Sequence, residues 1–211
     1  LLTSMLNTYK IVVPKVVFTV ISATITAYGF ARFEFKGKAI LFSLMISTLF
    51  LPQVVLNAPQ YIMFNNWKWV NTYLPLVIPS LFAADTYFVF MLIQFLRGVP
   101  KELEEAAAID GAGLYSVFFR IVFPLMKPII LTSVVLNTLN VWNDFQMSLT
   151  LLQKKPVRNV PLTQYFFFGE NSIELGLAFA LFILSMIPIL ILYLALQKYI
   201  IGGITSGAVK G

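Results

Sequence analysis

Asn137, Asn140, Asn143 and Asp144 are hydrogen-bonding side chains set inside the apolar run 125–152. Asn137, Asn140 and Asp144 fall at i, i+3 and i+7, so a helix places them on one face. Ser133, four residues before Asn137, joins the same stripe. Polar groups in a membrane-length helix are costly and face a bundle interior or a water-filled cavity. A hydroxyl, amides and a carboxylate in line suit a polyhydroxylated molecule, with Trp142 or Phe145 as a surface for the apolar face of a ring. The same groups suit hydrogen bonds between helices that touch no solute. The sequence leaves both readings open. Asp144, near the outer end of its run, also suits a solvated or helix-capping role. Asp85 is the sole acid in the run 74–96 and reads as a structural partner or cavity wall, with a proton or cation site as the alternative.

Other chemistries are removed by composition. The 211 residues contain no cysteine and no histidine. That excludes disulfides, thiol nucleophiles and Ser-His-Asp triads, and nearly all zinc sites. An intramembrane enzyme would have to pair Asp85 with Asp144, and neither carries a supporting motif. The chain has no Gly-x-x-x-x-Gly-Lys-Ser/Thr loop to cradle phosphates. Charged residues are 11% of the chain against 59% hydrophobic, where soluble domains carry about 25% charged residues. The net charge of +6 is spread between apolar runs, where lipid headgroups account for it; no aromatic-basic interleaving points to nucleic acid.

The elements that must position these groups are membrane helices. Five runs, 11–30, 39–63, 74–96, 125–152 and 175–196, approach the roughly 20 residues that cross a bilayer core. Each is expected to be helical, because a lipid-exposed backbone must satisfy its own hydrogen bonds. The second run contains Pro52-Gln53 and Asn57-Ala58-Pro59-Gln60, which predicts either a broken helix facing protein or water, or a bend near the outer interface. With the 32–38 loop inside, nine of the fifteen Lys and Arg are cytoplasmic and six are outside, a weak preference for that orientation. It places residue 1 outside and leads to the expectation of a further helix before it. The whole chain, 1–211, reads as one transmembrane domain.

Between the third and fourth runs lies a longer polar loop, 98–123. Pro100 and the acids Glu102, Glu104 and Glu105 favour the start of a short helix. Ala106-Ala107-Ala108 continues it with a low profile that lets a partner approach the backbone. Gly111 can stop it in the left-handed conformation, with Asp110 holding the turn through its side chain. Ser116 suits the cap of a second short helix through Arg120. The loop reads either as a docking surface for another protein or as a solvated connection.

These residues resemble a known family. Glu105-Ala106-Ala107, then Gly111, then Ile121-Val122-Phe123-Pro124 match the signature of the permease subunits of bacterial ATP-binding-cassette importers, departing only at Phe123, where the family prefers leucine. Residues 94–105, Trp142-Asn143-Asp144-Phe145 and the tail 197–211 are similar to the carbohydrate branch, and in the tail to the maltose-type second permease. The likeness covers the chain from Asn7 onward. It implies an all-α polytopic bundle of the type I importer permease kind. Glu104, Glu105, Ala106, Ala107, Asp110 and Gly111 would then couple the chain to an ATPase, with Glu105 paired to a basic residue there. Implied partners are a second permease subunit, two ATP-binding-cassette ATPase subunits that hold the ATP and Mg, an extracytoplasmic solute-binding protein and the inner membrane. Ser133, Asn137, Asn140, Asn143 and Asp144 would line a path for a carbohydrate. An ion-coupled secondary transporter and a permease for a non-sugar solute are the competing readings; the first needs titrating sites and internal repeats, of which only Asp85 and Asp144 are candidates.

The glycine-rich tail 197–211 reads by composition as a flexible end; the resemblance implies instead a cytoplasmic segment reaching toward the ATPase pair, where Lys210 would meet acidic groups. Deleting residues 205–211 is expected to lower uptake while immunoblots show unchanged amounts of the chain in the membrane.

Overall fold

The computed structural model describes residues 2–167 and 175–208. Among them every regular element is helical. Helix α1, Leu2–Arg32, is the central rod. Its buried positions Ile11, Val12, Val16, Thr19, Ala23 and Ala27 recur every three or four residues, the period of one helical face. Helices α2, Lys38–Thr48, and α3, Gln53–Asn66, are bent by 101° to each other across a short break. Pro52 sits just before α3 with an extended backbone (φ −62°, ψ 127°). The second apolar run is therefore the broken span that its prolines predict.

The third run is broken too, which the sequence reading did not anticipate. Helix α4, Leu74–Val77, passes into a 3-10 turn, Ile78–Phe82, and the chain then breaks before helix α5, Thr86–Arg97. Ala83 takes a left-handed backbone at φ +54°. Pro75 and Pro79 lie within the broken half; proline cannot donate to the helical ladder. Helix α6, Glu102–Ile109, and α7, Leu114–Val117, form the inner loop; a π-helical turn, Phe118–Val122, leads straight into α8, Phe123–Trp142. The fourth span thus ends ten residues earlier than its apolar run, and the remainder forms α9, Gln146–Leu151. Helix α10, Val160–Phe167, follows a 3-10 turn, and α11, Leu175–Ala208, is the last span. Its backbone stays helical through most of the predicted tail; residues 209–211, with Lys210, lie outside the described residues. Four helical stretches are long and apolar enough to cross a membrane, five when the bent α2–α3 pair counts as one.

Two apolar cores hold the bundle. The inner one packs Ala23 and Ala27 of α1 against Val89, Leu92, Ile93 and Leu96 of α5 and Met126, Ile129 and Ile130 of α8. The outer one joins Ile11, Val12 and Val16 of α1 to Phe64, Leu76, Val141, Trp142 and Leu151. The outer cap is sewn to the start of α1 by hydrogen bonds: Asn7 Nδ2 donates to the carbonyls of Pro156 (2.8 Å) and Arg158 (3.0 Å), and Val160 N–H donates to Thr8 Oγ1 (2.9 Å). Between the cores α1 turns polar: Thr19 Oγ1 donates to Asp85 Oδ2, and Ser22 Oγ donates to the Ser80 carbonyl that the broken helix exposes. These bonds satisfy backbone and carboxylate at a depth where water cannot.

Leu92 has no exposed surface. Leu92→Ala removes buried methyl groups and leaves a void, so a loss of about 2–5 kcal/mol is expected, read as a lowered Tm of the detergent-solubilised chain.

Candidate functional site

The inner loop folds as a short helix closed by a glycine turn. The Lys101 carbonyl accepts the N–H groups of Glu104 (2.9 Å) and Glu105 (3.0 Å), starting α6 after Pro100. At its end Gly111 has φ +83°. Gly111 N–H donates to the Ala108 carbonyl and Ala112 N–H to the Ala107 carbonyl, the pairing that closes a helix through a left-handed residue. Backbone alone makes this turn: among the described residues the exposed Asp110 carboxylate has no hydrogen-bond partner, so the expected Asp110 side-chain bond is absent. Ser116 does not cap α7; Gly113, with ψ 161°, holds that position.

The coupling candidates divide by face. Glu105, Ala106, Asp110 and Gly111 are exposed. Beside them stand Ile109 at 86% exposure and Tyr115 at 80%: an apolar, low-profile knob with an acid at its edge. Ala107 turns inward onto the inner core. So does Glu104, which the sequence grouped with the docking residues. Arg32 Nε lies 2.5 Å from Glu104 Oε1, and the two side chains are only 7% and 14% exposed. Tyr28 OH donates to Glu104 Oε2 (3.1 Å), and Arg32 Nη2 donates to the Val99 carbonyl (3.0 Å). Arg32 and Tyr28 were missed because their partner is 72 or more positions away, beyond any local pattern; Arg32 read only as a topogenic charge. Outside the spans, Lys38 bonds Glu34 and holds its carboxyl below the usual range.

The second candidate is a cleft of about 310 Å³ between the two apolar cores. Asn137, Asn140 and Asp144 of the predicted stripe all line it. Across from them stand Asp85 and Lys15, and Gln53 and Gln60 close the side given by the broken α3. Asn137 is 2% exposed, and its Nδ2 finds no acceptor among the described residues. Asp144 also caps the outer turn: its carboxylate accepts from Met147 N–H (3.4 Å) and Ser148 Oγ (3.0 Å), and Asn159 Nδ2 donates to Ser148 Oγ (2.7 Å). Asp85 is a cavity wall paired to Thr19, as expected.

The other predicted path residues stand apart from the cleft. Ser133 is buried and its hydroxyl donates to the Ile129 carbonyl (2.9 Å). Asn143 donates to the Leu139 carbonyl (2.8 Å) and ends α8. Trp142 packs edge-on to Tyr9 at 5.3 Å and Phe145 lies against Tyr165 at 5.1 Å, so neither ring is spare. The 3.6-residue period placed all these groups on one polar helix; the break after Trp142 and the neighbouring helices decided which of them meet open space. Gln53 and Gln60 were noted only as polar breaks, and Lys15 only as a charge.

The bundle thus carries an exposed knob on one loop and a polar cleft between its two apolar cores, and comparison with known proteins says what kind of subunit it is. Residues 15–205 match the model for the binding-protein-dependent transport system inner membrane component. The chain belongs to this family. It is an inner-membrane, multi-pass permease of the ATP-binding-cassette importers, whose partners include an ATPase and a binding protein. The melibiose/raffinose/stachyose import permease protein MelC of Bacillus subtilis is 39% identical over 99% of this chain and 76% of its own length. The multiple sugar-binding transport system permease protein MsmG of Streptococcus mutans is 35% identical over 97% of this chain and 75% of its own. A bacterial transporter involved in import of the acidic polysaccharide alginate superimposes at a TM-score of 0.78, with 22% identity over 93% of this chain and 74% of its own, the same type I permease fold.

Asn140→Leu places an apolar group in the permease's cleft, and uptake is expected to fall about tenfold, the cost of leaving a polar ligand group unpaired. Ser133→Ala and Asn143→Ala, away from the cleft, are expected to change uptake less than about twofold. Initial uptake rates at matched expression check this contrast.

Proposed function

We propose that the cleft is this chain's half of the translocation path for a carbohydrate, and that the outer face of α6 docks on a separate ATPase subunit. The observation that carries the reading is the cleft itself: a polar space of about 310 Å³ held between two apolar cores, with an unpartnered amide donor on its wall. Buried donors and acceptors that lack protein partners suit a ligand with many hydroxyls. The family's sugar-importing members, for melibiose, raffinose and stachyose and for multiple sugars, support the same class.

The remaining parts of the machine follow from this division of labour. A second permease subunit supplies the other half of the path. Two ATPase subunits hold ATP and Mg; their closure draws the docking helices together and reorients the bundle, while an extracytoplasmic binding protein delivers solute. Glu105 meets a basic residue of the ATPase, and Ala106 keeps the approach close. Asp110 and Gly111 shape the rim of the knob. With ATP supplying the energy, Asp85 and Asp144 have structural and cleft-lining roles rather than ion coupling.

Gly111→Asp tests the docking role. No atom lies within 4 Å of where a Cβ would sit at Gly111, so the new side chain projects from the surface and membrane insertion is kept. The left-handed backbone costs a non-glycine residue about 1–2 kcal/mol, and a third acid joins Glu105 and Asp110 in the knob. Hydrolysis in the purified complex is expected to continue while uptake into proteoliposomes is lost. Normal ATP-driven uptake by this variant would remove α6 as the coupling element.

A further inference from the structure

We infer that Arg32 and Glu104 are positioning residues for transport: their ion pair ties the docking helix α6 to the inner end of α1, so that displacement of α6 reaches the cleft through α1. The inference rests on the reading of α6 as the ATPase-docking helix.

The connectivity makes the pair necessary. Helix α6 is joined through the chain to α5 on one side and, by α7 and the π-helical turn, to α8 on the other. Helix α1 has no such connection. Its polar link to α6 is the Glu104 carboxylate, held by Arg32 Nε and Tyr28 OH. Arg32 also donates to the Val99 carbonyl, in the segment between α5 and α6. One guanidinium therefore grips both α6 and its lead-in. Yet α6 has no fully buried residue of its own, so packing alone fixes it weakly, and a directional pair of nearly buried charges supplies the register.

Helix α1 is what the tie would move. It is continuous over Leu2–Arg32. Lys15 lines the cleft and Thr19 holds Asp85 on its wall. From Arg32 to Lys15 the axial distance is about 25 Å at roughly 1.5 Å per residue. A helix of that length wedged between α5 and α8 carries a shift at one end to the other as a rigid element. The cleft then has two moving walls, α8 through the chain and α1 through the ion pair.

The test uses the assembled transporter with its partner subunits, comparing Arg32→Ala, Glu104→Ala and the double variant with Gly111→Asp as the marker of docking. Each single variant strands one charge, whereas the double variant leaves none unpaired and retains folding. The readouts are co-purification of the ATPase, ATP hydrolysis, and solute transported per ATP hydrolysed. The expected result is intact assembly, continued hydrolysis and a transport-to-hydrolysis ratio about tenfold lower, within the ordinary range of allosteric coupling, with the double variant no worse than either single one. A double variant that assembles and keeps the parental ratio overturns the inference. So does a loss of uptake and hydrolysis in equal proportion, which marks a purely structural pair. If Gly111→Asp uncouples while the pair variants do not, the docking reading stands and the tie alone falls; if Gly111→Asp also transports normally, both fall.

Discussion

Arg32 and Glu104 meet where water is nearly shut out, and bringing two charges to such a place costs several kcal/mol for each ion. The local chemistry offsets this. Arg32 ends α1, where the helix dipole is negative, and Glu104 lies in the first turn of α6, where it is positive. Tyr28 and the Val99 carbonyl take up hydrogen-bonding capacity that the ion pair leaves over. Tyr28 is itself wedged between Phe33 and Phe118, so the clamp continues into the inner apolar core. The exposed inner loop and the membrane bundle are joined at this junction, and removing one charge alone would leave the other stranded.

A second constraint shapes the middle of the molecule. Within hydrocarbon every backbone and carboxylate group needs a partner inside the protein. The chain breaks two of its spans all the same, at the α2–α3 bend and after Phe82. At the second of these breaks α1 supplies the partners: Ser22 takes the Ser80 carbonyl and Thr19 the Asp85 carboxylate. The unpartnered Asn137 amide opens onto the cleft. Broken helices around a polar space are a form that membrane transport sites commonly take.

The two functional regions lie at different depths. The knob is made of exposed Glu105, Ala106, Ile109 and Tyr115, and the cleft of polar groups gathered from α1, α3, α8 and the loops beside them. Such a division suits a subunit that receives motion at one place and uses it at another.

Much of this was fixed by local sequence. Apolar runs of membrane length, the prolines near Pro52, and the acid-alanine-glycine order of 104–111 determine spans, a break and a short loop helix, because each depends on neighbours within a few residues. The stripe Asn137, Asn140, Asp144 was legible for the same reason: helical period is a local property. Tertiary structure decided the rest. Ser133 and Asn143 share the polar helix yet bond back to α8, since whether a polar side chain meets a cavity depends on what packs opposite. Glu104 and Glu105 were both grouped as coupling residues, but adjacent positions on a helix point about 100° apart, so one faces inward and the other outward, and only the placement of α1 beside α6 supplied Arg32. Pairings across 70 or more positions are set by how whole helices settle against one another, and no short stretch of chain carries that information.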